Sequence, residues 1–160
     1  MTAIHMVTEA PEETRWLAAA LAAAARPNDV IGLQGTLGAG KTCFAQGFAR
    51  GLGVAETVIS PTFVLMRSYE GRLTLHHFDA YRLGGADDME AIGCAEVFGS
   101  GGVSLIEWAD HVAGCLPPDH FLLTLRAAGE RRRELALRAC GGRCVARLGE
   151  LRGVLAPWAR

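Results

Sequence analysis

The chain has 160 residues, half of them hydrophobic, and a formal net charge of −1. This length suits one domain with a real core, and the apolar content argues against disorder. The net charge gives no indication of a broadly basic nucleic-acid-binding surface. The chain has no secretion signal and no apolar stretch of about 18 residues, and its five cysteines form no CxxC pair. We therefore expect a cytoplasmic protein with unpaired thiols and no membrane segment.

The first predicted helix begins at Pro11, where a proline and two acidic residues occupy the first turn. Trp16, Leu17 and Leu21 are expected to form its apolar stripe. The helix is expected to end at Arg26-Pro27, because the residue before a proline avoids the helical conformation.

A glycine-rich segment directly follows residues 29–33, a short apolar run that predicts a buried strand. It fits the pattern G-x-x-x-x-G-K-[ST] at every fixed position, and its Lys41 is the only lysine among sixteen basic residues. A helix predicted from Lys41 to about Leu52, with Gly53 as its terminator, completes the strand–loop–helix context of a phosphate-binding loop. The residues expected to bind nucleotide here are Gly35, Thr36, Leu37, Gly38, Ala39, Gly40, Lys41, Thr42 and Cys43.

Each part of this loop has a chemical reason. The glycines let the backbone wrap closely around phosphate, Lys41 offsets phosphate charge, and Thr42 offers a hydroxyl to Mg²⁺. Guanine-specific switches use an Asn-Lys-x-Asp element, which cannot exist here because the chain has one asparagine, Asn28, and its one lysine lies in the loop. The sequence therefore favours ATP over GTP.

The second half of the chain continues as alternating strands and short helices without a repeat or a long linker. We predict one α/β domain over residues 1–160, with a P-loop NTPase fold, a mixed and mainly parallel sheet flanked by helices, and the last few residues peripheral. Strands are predicted at 63–69, 73–78, 103–106, 121–125 and 134–137, the first two as an antiparallel hairpin, and helices at 87–90 and 148–155.

Two acids end predicted strands and are candidates for the metal side or for the attacking water. Glu107 follows the apolar run 103–106, and Asp79 follows the second strand of the hairpin. Ligands gather at the carboxyl ends of strands in open α/β sheets, so both acids are expected to converge on the γ-phosphate. The run before Glu107 is the better match to a Walker B strand, but the sequence does not decide which acid handles the attacking water. His76 and His77 lie on opposite faces of one strand, so at most one faces the site, and each is more typical of a packed or edge histidine.

Other residues near these motifs keep two interpretations. Thr62 is either a switch-type threonine that senses the γ-phosphate or the start of a strand. Arg82 either meets phosphate or pairs with Asp79, or it lies on the surface. Trp108 is more typical of a core residue than of a stacking platform. The run at 131–133 favours a solvated hairpin edge over a binding patch.

Four motifs together resemble the bacterial TsaE (YjeE) family, the small P-loop ATPases of tRNA threonylcarbamoyladenosine (t6A) biosynthesis. They are the loop at 35–42, Ser60-Pro61-Thr62-Phe63, the segment 77–83 and Ile106-Glu107-Trp108, in the family's order and spacing. The resemblance covers roughly residues 8 to 125. It departs from the family at Thr36, where an acid is common.

The resemblance implies a Mg²⁺-dependent ATPase that is weak alone and is stimulated by its partners. These are the threonylcarbamoyl-transferase subunit and its inactive paralogue, and tRNA contact is expected mostly through them. The family's roles fall on Thr42 and Glu107 for the metal, Lys41 for phosphate, Asp79 for hydrolysis and Thr62 for a switch-like loop. Thr14 and Arg133 are further positions expected to approach the nucleotide.

Three functions remain open from the sequence. The first is an ATPase that drives or resets cycles of a tRNA-modifying assembly. The second is a nucleotide-gated binding module with little hydrolysis. The third is a small-molecule kinase, although no lid is evident around the arginine run and no acceptor pocket can be recognised.

Overall fold

The computed structural model of the chain describes residues 3–36, 38–59, 61, 65–81 and 85–160. Its strands are β1 (Ala3–Thr8), β2 (Val30–Gln34), β3 (Met66–Tyr69), β4 (Leu75–Asp79), β5 (Val103–Glu107), β6 (His120–Ala127) and β7 (Arg133–Cys140). Its helices are α1 (Pro11–Ala23), α2 (Lys41–Gly51), α3 (Ala86–Ala91), α4 (Cys94–Phe98), α5 (Gly142–Val145) and α6 (Leu148–Leu155), with 3-10 turns at Ala109–Cys115 and Ala156–Trp158.

The strands of the described residues form one sheet in the spatial order β1-β7-β6-β2-β5-β4-β3. The central strands β6, β2, β5 and β4 run parallel, while β1 and β7 at one edge and β3 at the other pair antiparallel. The predicted α/β class with a mixed sheet flanked by helices is confirmed. Parallel pairing at the centre fits the near-complete burial of β2, β4 and β5, whereas β6 keeps exposed residues on one face.

Alternation along each strand divides the core into two layers. On β5, Val103 and Leu105 face the layer covered by α1, α2 and α6, whereas Ile106 faces the layer covered by α3, α4 and the Ala109–Cys115 turn. The odd-numbered residues of β4 and β5 therefore lie on the same side of the sheet as α2. Odd-numbered side chains at the ends of β4 and β5 therefore point to the side of the sheet where the glycine-rich loop leads into α2.

Helices α1 and α2 are in backbone contact because α2 carries glycines where they cross. A Cβ on Gly47 would lie 2.4 Å from the carbonyl oxygen of Arg15, and one on Gly51 would lie 2.5 Å from that of Ala19. No side chain fits at those separations, so the two glycines allow α2 to pack directly against α1. The start of α2 is thereby fixed relative to the sheet.

Two sequence predictions about α1 need correction, and one strand was missed. Helix α1 ends at Ala23, before Arg26-Pro27, and Trp16 is 61% exposed, so its apolar stripe is formed by Leu17, Leu21 and neighbouring small residues. Strand β1 was not predicted. Its short alternation of apolar and polar residues identifies a strand only once its pairing with β7 is known. Gly53, with φ of 78°, follows α2 as predicted.

The end of the chain returns to its beginning. Ala159 forms a bridge with Met6, and the Arg160 amide donates to the His5 carbonyl oxygen at 2.9 Å. The assignment of residues 1–160 to a single domain with a peripheral end stays a prediction. All five cysteines are free, as predicted. In the described part of the chain, every helix is too short or too polar to cross a bilayer.

Candidate functional site

The glycine-rich loop joins β2 to α2 at the carboxyl end of the central strands. Gly38 and Gly40 have φ of 81° and 106°, which side chains rarely adopt, and Gly40 caps the start of α2. A Cβ on Gly35 would lie 2.6 Å from the Leu125 carbonyl oxygen. Successive amides of such a loop and the first turn of a helix favour an anion. Leu37, also expected to bind nucleotide, lies outside the described residues.

Lys41 is the first residue of α2 and is only 6% exposed. Its Nζ donates to the carbonyl oxygens of Gly35 at 2.6 Å and Thr36 at 2.9 Å, so the ammonium lies within its own loop. Burial lowers the pKa of Lys41, while the negative charges of Glu107, Asp110 and Asp79 act in the opposite direction. The ammonium is thus held by its own loop and is also influenced by the charges of three acids.

Asp79 and Glu107 end neighbouring parallel strands and are register partners. Each is 4% exposed, and both occupy odd positions that face the α2 side of the sheet. Strand β5 lies directly beside β2, so Glu107 is one strand away from the start of the loop and Asp79 is two strands away. The Tyr81 amide donates to Oδ1 of Asp79 at 3.0 Å. The structure therefore brings together the two acids that the sequence left as alternatives.

His77 contacts Glu107 through a hydrogen bond that sequence reasoning missed. Its Nε2 lies 2.6 Å from Oε2 of Glu107, and the imidazole is fully buried. His76 points to the other face, where its Nδ1 lies 2.8 Å from Ser68 Oγ. The interpretation of both histidines as packed or edge residues was incomplete. The available signal was the spacing of His77, two residues before Asp79 and so on the same face.

Trp108 also lies beside the loop. Its ring centroid is 3.9 Å from Lys41 Nζ, and its backbone has φ of 61°. The ring packs against Tyr81 and His111, with centroids 5.0 and 5.6 Å away. Trp108 is only partly buried, so the interpretation as a core residue is wrong in part. Tyr81 and His111 were missed, because nothing in the sequence joins a residue after β4 to one after β5.

Arg133 holds the other side of the loop. Its guanidinium donates to the Gly38 carbonyl oxygen at 3.3 Å and to backbone carbonyl oxygens of the turn between β6 and β7. Arg131 and Arg132 instead form exposed ion pairs with Glu12 and Glu9. The arginine run is therefore a hairpin edge, as predicted, with its last member turned to the loop.

Three further predicted site residues lie on α1 and α2. Thr14 is 1% exposed, and its hydroxyl lies 2.7 Å from that of Thr8, so it is engaged inside the protein. Thr42 is half-buried, next to Lys41. Cys43 donates to the Pro11 carbonyl oxygen at 3.4 Å, and burial raises the pKa of its thiol. Thr62 and Arg82 lie outside the described residues.

The donor set at this site suits magnesium. It offers a hydroxyl and carboxylates, the hard oxygen ligands that Mg²⁺ prefers, and Mg²⁺ at nucleotide sites takes only one or two protein carboxylates beside phosphate. Among the described residues no group of three or more His, Cys, Asp or Glu side chains is poised to hold a metal ion by itself. Thr42 and Glu107 therefore fit a metal that arrives with a nucleotide.

Comparison with known proteins establishes the family of the chain. The family model described as "Threonylcarbamoyl adenosine biosynthesis protein TsaE" matches residues 8–135. The chain belongs to the TsaE family. The matched range includes the glycine-rich loop, both acids and Arg133, and ends before α5 and α6.

Individual members of the family are similar over most of the chain. The TsaE protein of Bacillus subtilis is 44% identical over 134 residues, which cover 83% of this chain and 84% of that protein. That of Treponema pallidum is 46% identical over 68% of this chain and 80% of its own length. The crystal structure of Bacillus subtilis YdiB has 37% identity and a TM-score of 0.83, and the alignment covers 96% of this chain and 97% of that one.

Proposed function

We propose that the protein binds and hydrolyses ATP with Mg²⁺ as a component of tRNA threonylcarbamoyladenosine biosynthesis. One observation carries this proposal above the others. A buried lysine lies within a glycine-rich loop, and the two buried acids that bear on its charge end the adjoining parallel strands. Phosphate, a divalent cation and water all need to meet at such a point for phosphoryl transfer.

The loop residues supply binding and charge neutralisation. The amides of the loop and of the α2 N-terminus cradle phosphate oxygens, and Lys41 exchanges its bonds to Gly35 and Thr36 for bonds to phosphate. Mg²⁺, when bound, draws charge from the phosphate oxygens. Thr42 and Glu107 are the residues that would hold it. Arg133 keeps the far side of the loop in place through Gly38.

The two acids have different roles in this proposal. Glu107 is on the strand beside β2, next to the start of the loop, which favours it for the metal side. Asp79 is one strand further from the loop, which favours it for orienting the attacking water or accepting its proton. The division of labour rests on strand order, since the acids share a face and a register.

The partners are proposed from the family alone. Relatives carry the name of a tRNA threonylcarbamoyladenosine biosynthesis protein, which implies work beside other components of that machinery. We propose the threonylcarbamoyl-transferase subunit and its inactive paralogue as the proteins that stimulate hydrolysis. A net charge of −1 favours tRNA contact through those partners.

Phosphate release, measured with and without the two partner subunits, tests the proposal. Wild-type protein is expected to turn over slowly alone and faster in the assembly. Asp79→Asn and Glu107→Gln are each expected to abolish most of the stimulated rate. Glu70→Gln, an exposed acid just beyond β3, is the matched control and should leave the rate unchanged.

Two outcomes would overturn the ATPase assignment. If a non-hydrolysable ATP analogue supported repeated rounds of tRNA modification, nucleotide binding alone would be the active event and the protein would be a gated module. If both acid substitutions left stimulated turnover intact, the site would lie elsewhere.

A further inference from the structure

His77 lies beneath the two acids in the buried layer under α2. It is two residues before Asp79 on β4, and its register partner on β5 is Leu105, two residues before Glu107. His77, Asp79 and Glu107 therefore share one face, with the histidine one step towards the core. His77 reaches across to β5, and its Nε2 meets Glu107 Oε2 at 2.6 Å.

The remaining ring nitrogen identifies the donor. Nδ1 of His77 is buried and has no hydrogen-bond partner within the part of the chain that the structure describes. A proton on Nδ1 would be a buried donor left unsatisfied, which costs more than an unused acceptor lone pair. This assigns the proton to Nε2, which donates it to the Glu107 carboxylate.

The hydrogen bond from His77 restricts the Glu107 side chain, which could otherwise adopt several rotamers. Glu107 has three rotatable bonds, and Asp79 directly beside it in register carries a like charge. Because the buried His77 ring donates from Nε2 to Oε2 of Glu107, it also sets the orientation of Oε1 of the same carboxylate. Groups that hold a metal-binding side chain in this way contribute about 10- to 100-fold to metal affinity or activity.

We propose that His77 is a positioning residue that orients Glu107 towards the metal side of the nucleotide site. This inference rests on the function proposed above. His77 touches neither nucleotide nor metal, and its effect passes entirely through the Glu107 carboxylate. Its removal should weaken the magnesium-dependent part of nucleotide binding and spare the part that the loop amides and Lys41 supply.

Three substitutions separate the hydrogen bond from the packing. His77→Leu removes the donor and keeps an apolar side chain in the core. His77→Gln places an amide nitrogen near the position of Nε2, whereas His77→Asn places one near that of Nδ1. His76→Leu is the matched control, since His76 is next in the chain, faces the other side of the sheet and bonds to surface serines.

Calorimetric titration with ATP, in excess Mg²⁺ and again in EDTA, is the primary measurement. His77→Leu is expected to lose about 10- to 100-fold of Mg·ATP affinity and to match wild type in EDTA. His77→Gln should recover most of the loss and His77→Asn little of it, while His76→Leu should behave as wild type. The Gln and Asn pair still decides the matter if the Leu variant does not fold.

Two further measurements do not depend on turnover. In a Glu107→Gln background, His77→Leu should cause no further loss of Mg·ATP affinity, because its effect passes through the missing carboxylate. Long-range ¹H–¹⁵N spectra of the free protein should show the His77 proton on Nε2.

Each contrary result points to a different failure. Equal losses in Mg²⁺ and EDTA, additive losses in the double variant, or a proton on Nδ1 would make His77 a packing residue and overturn the inference alone. A wild-type protein that binds no Mg·ATP would overturn the proposed function, and the inference with it.

Discussion

Lys41 is the residue on which the site is centred. Its ammonium is held by two loop carbonyl oxygens, covered by the Trp108 ring and drawn by three acids. This arrangement suits a compact charge on a flexible stem, and a planar fork of five donors does not fit it. This geometry explains why residue 41 is a lysine although every other Lys or Arg position of the chain is an arginine.

Lys41→Arg should therefore fail although it keeps the charge. A charge-assisted hydrogen bond contributes about 1.5–3 kcal/mol, so we expect Mg·ATP affinity to fall roughly 10- to 100-fold. Calorimetry with Mg·ATP measures this. Arg50→Lys, at the exposed end of α2, is the control and should bind as wild type. Wild-type affinity in Lys41→Arg would show that the Nζ position is not the one that meets phosphate.

Trp108 should report the arrival of phosphate, because its ring rests on the ammonium that phosphate would draw away. In a Trp16→Phe, Trp158→Phe variant, Trp108 is the remaining tryptophan. Its emission is expected to change and to saturate as Mg·ATP is added. The same titration of Trp108→Phe, which keeps the other two tryptophans, should be nearly silent. A response of equal size there would mean that a distant tryptophan senses binding.

At the scale of elements, the crossing of α1 and α2 positions the loop. Gly47 and Gly51 are spaced by one helical turn and bring the α1 backbone within contact of α2. Glycine has a low helix propensity, so Gly47 and Gly51 make α2 locally less stable while they allow it to pack closely against α1. The benefit is that the first turn of α2, which carries Lys41 and Thr42, is fixed against the sheet.

Gly47→Ala should destabilise the protein by about 1–3 kcal/mol, because its new methyl would overlap the Arg15 backbone. Gly153→Ala in α6 is the matched control. A Cβ there meets nothing within 4 Å, so the usual helix preference should apply and stabilise the fold by about 0.5–1 kcal/mol. Urea unfolding followed by circular dichroism measures both. Equal effects of the two substitutions would refute close contact between α1 and α2.

At the scale of the whole molecule, the last quarter of the chain closes the layer above α1. Leu148, Leu151 and Leu155 of α6 are buried in the same core cluster as Leu17 and Phe44. The end of the chain then bonds to β1 through His5 and Met6. Helix α6 lies beyond the segment matched by the family model, yet it completes the core that supports α2.

Leu151→Ala should lower the free energy of unfolding by about 2–5 kcal/mol, since Leu151 is 1% exposed. Glu150→Ala, one position earlier, is the control. Glu150 pairs with Arg26 where both side chains are about half exposed, so its loss should cost less than about 1 kcal/mol. Thermal or urea unfolding distinguishes them. If both variants were equally stable, α6 would be an appendage to the core.

Short-range rules of local chemistry were enough to predict much of this protein from its sequence. The loop pattern, its single lysine, the helix that follows and the strand before Glu107 all follow from short-range rules on glycine, charge and periodicity. They predicted the fold class and the residues of the loop. The sequence did not decide which of Asp79 and Glu107 serves the metal and which the attacking water. The answer depends on the spatial order of the strands, which the residues of a single strand do not determine.

Only the tertiary structure decided which distant groups meet. It paired His77 with Glu107, set the Trp108 ring on Lys41, and brought the end of the chain back to β1. These contacts depend on the register and spatial order of strands, which long-range packing fixes and local propensity does not. A histidine on a strand looks the same in sequence whether it faces solvent or a buried carboxylate, and the neighbouring strand makes the difference.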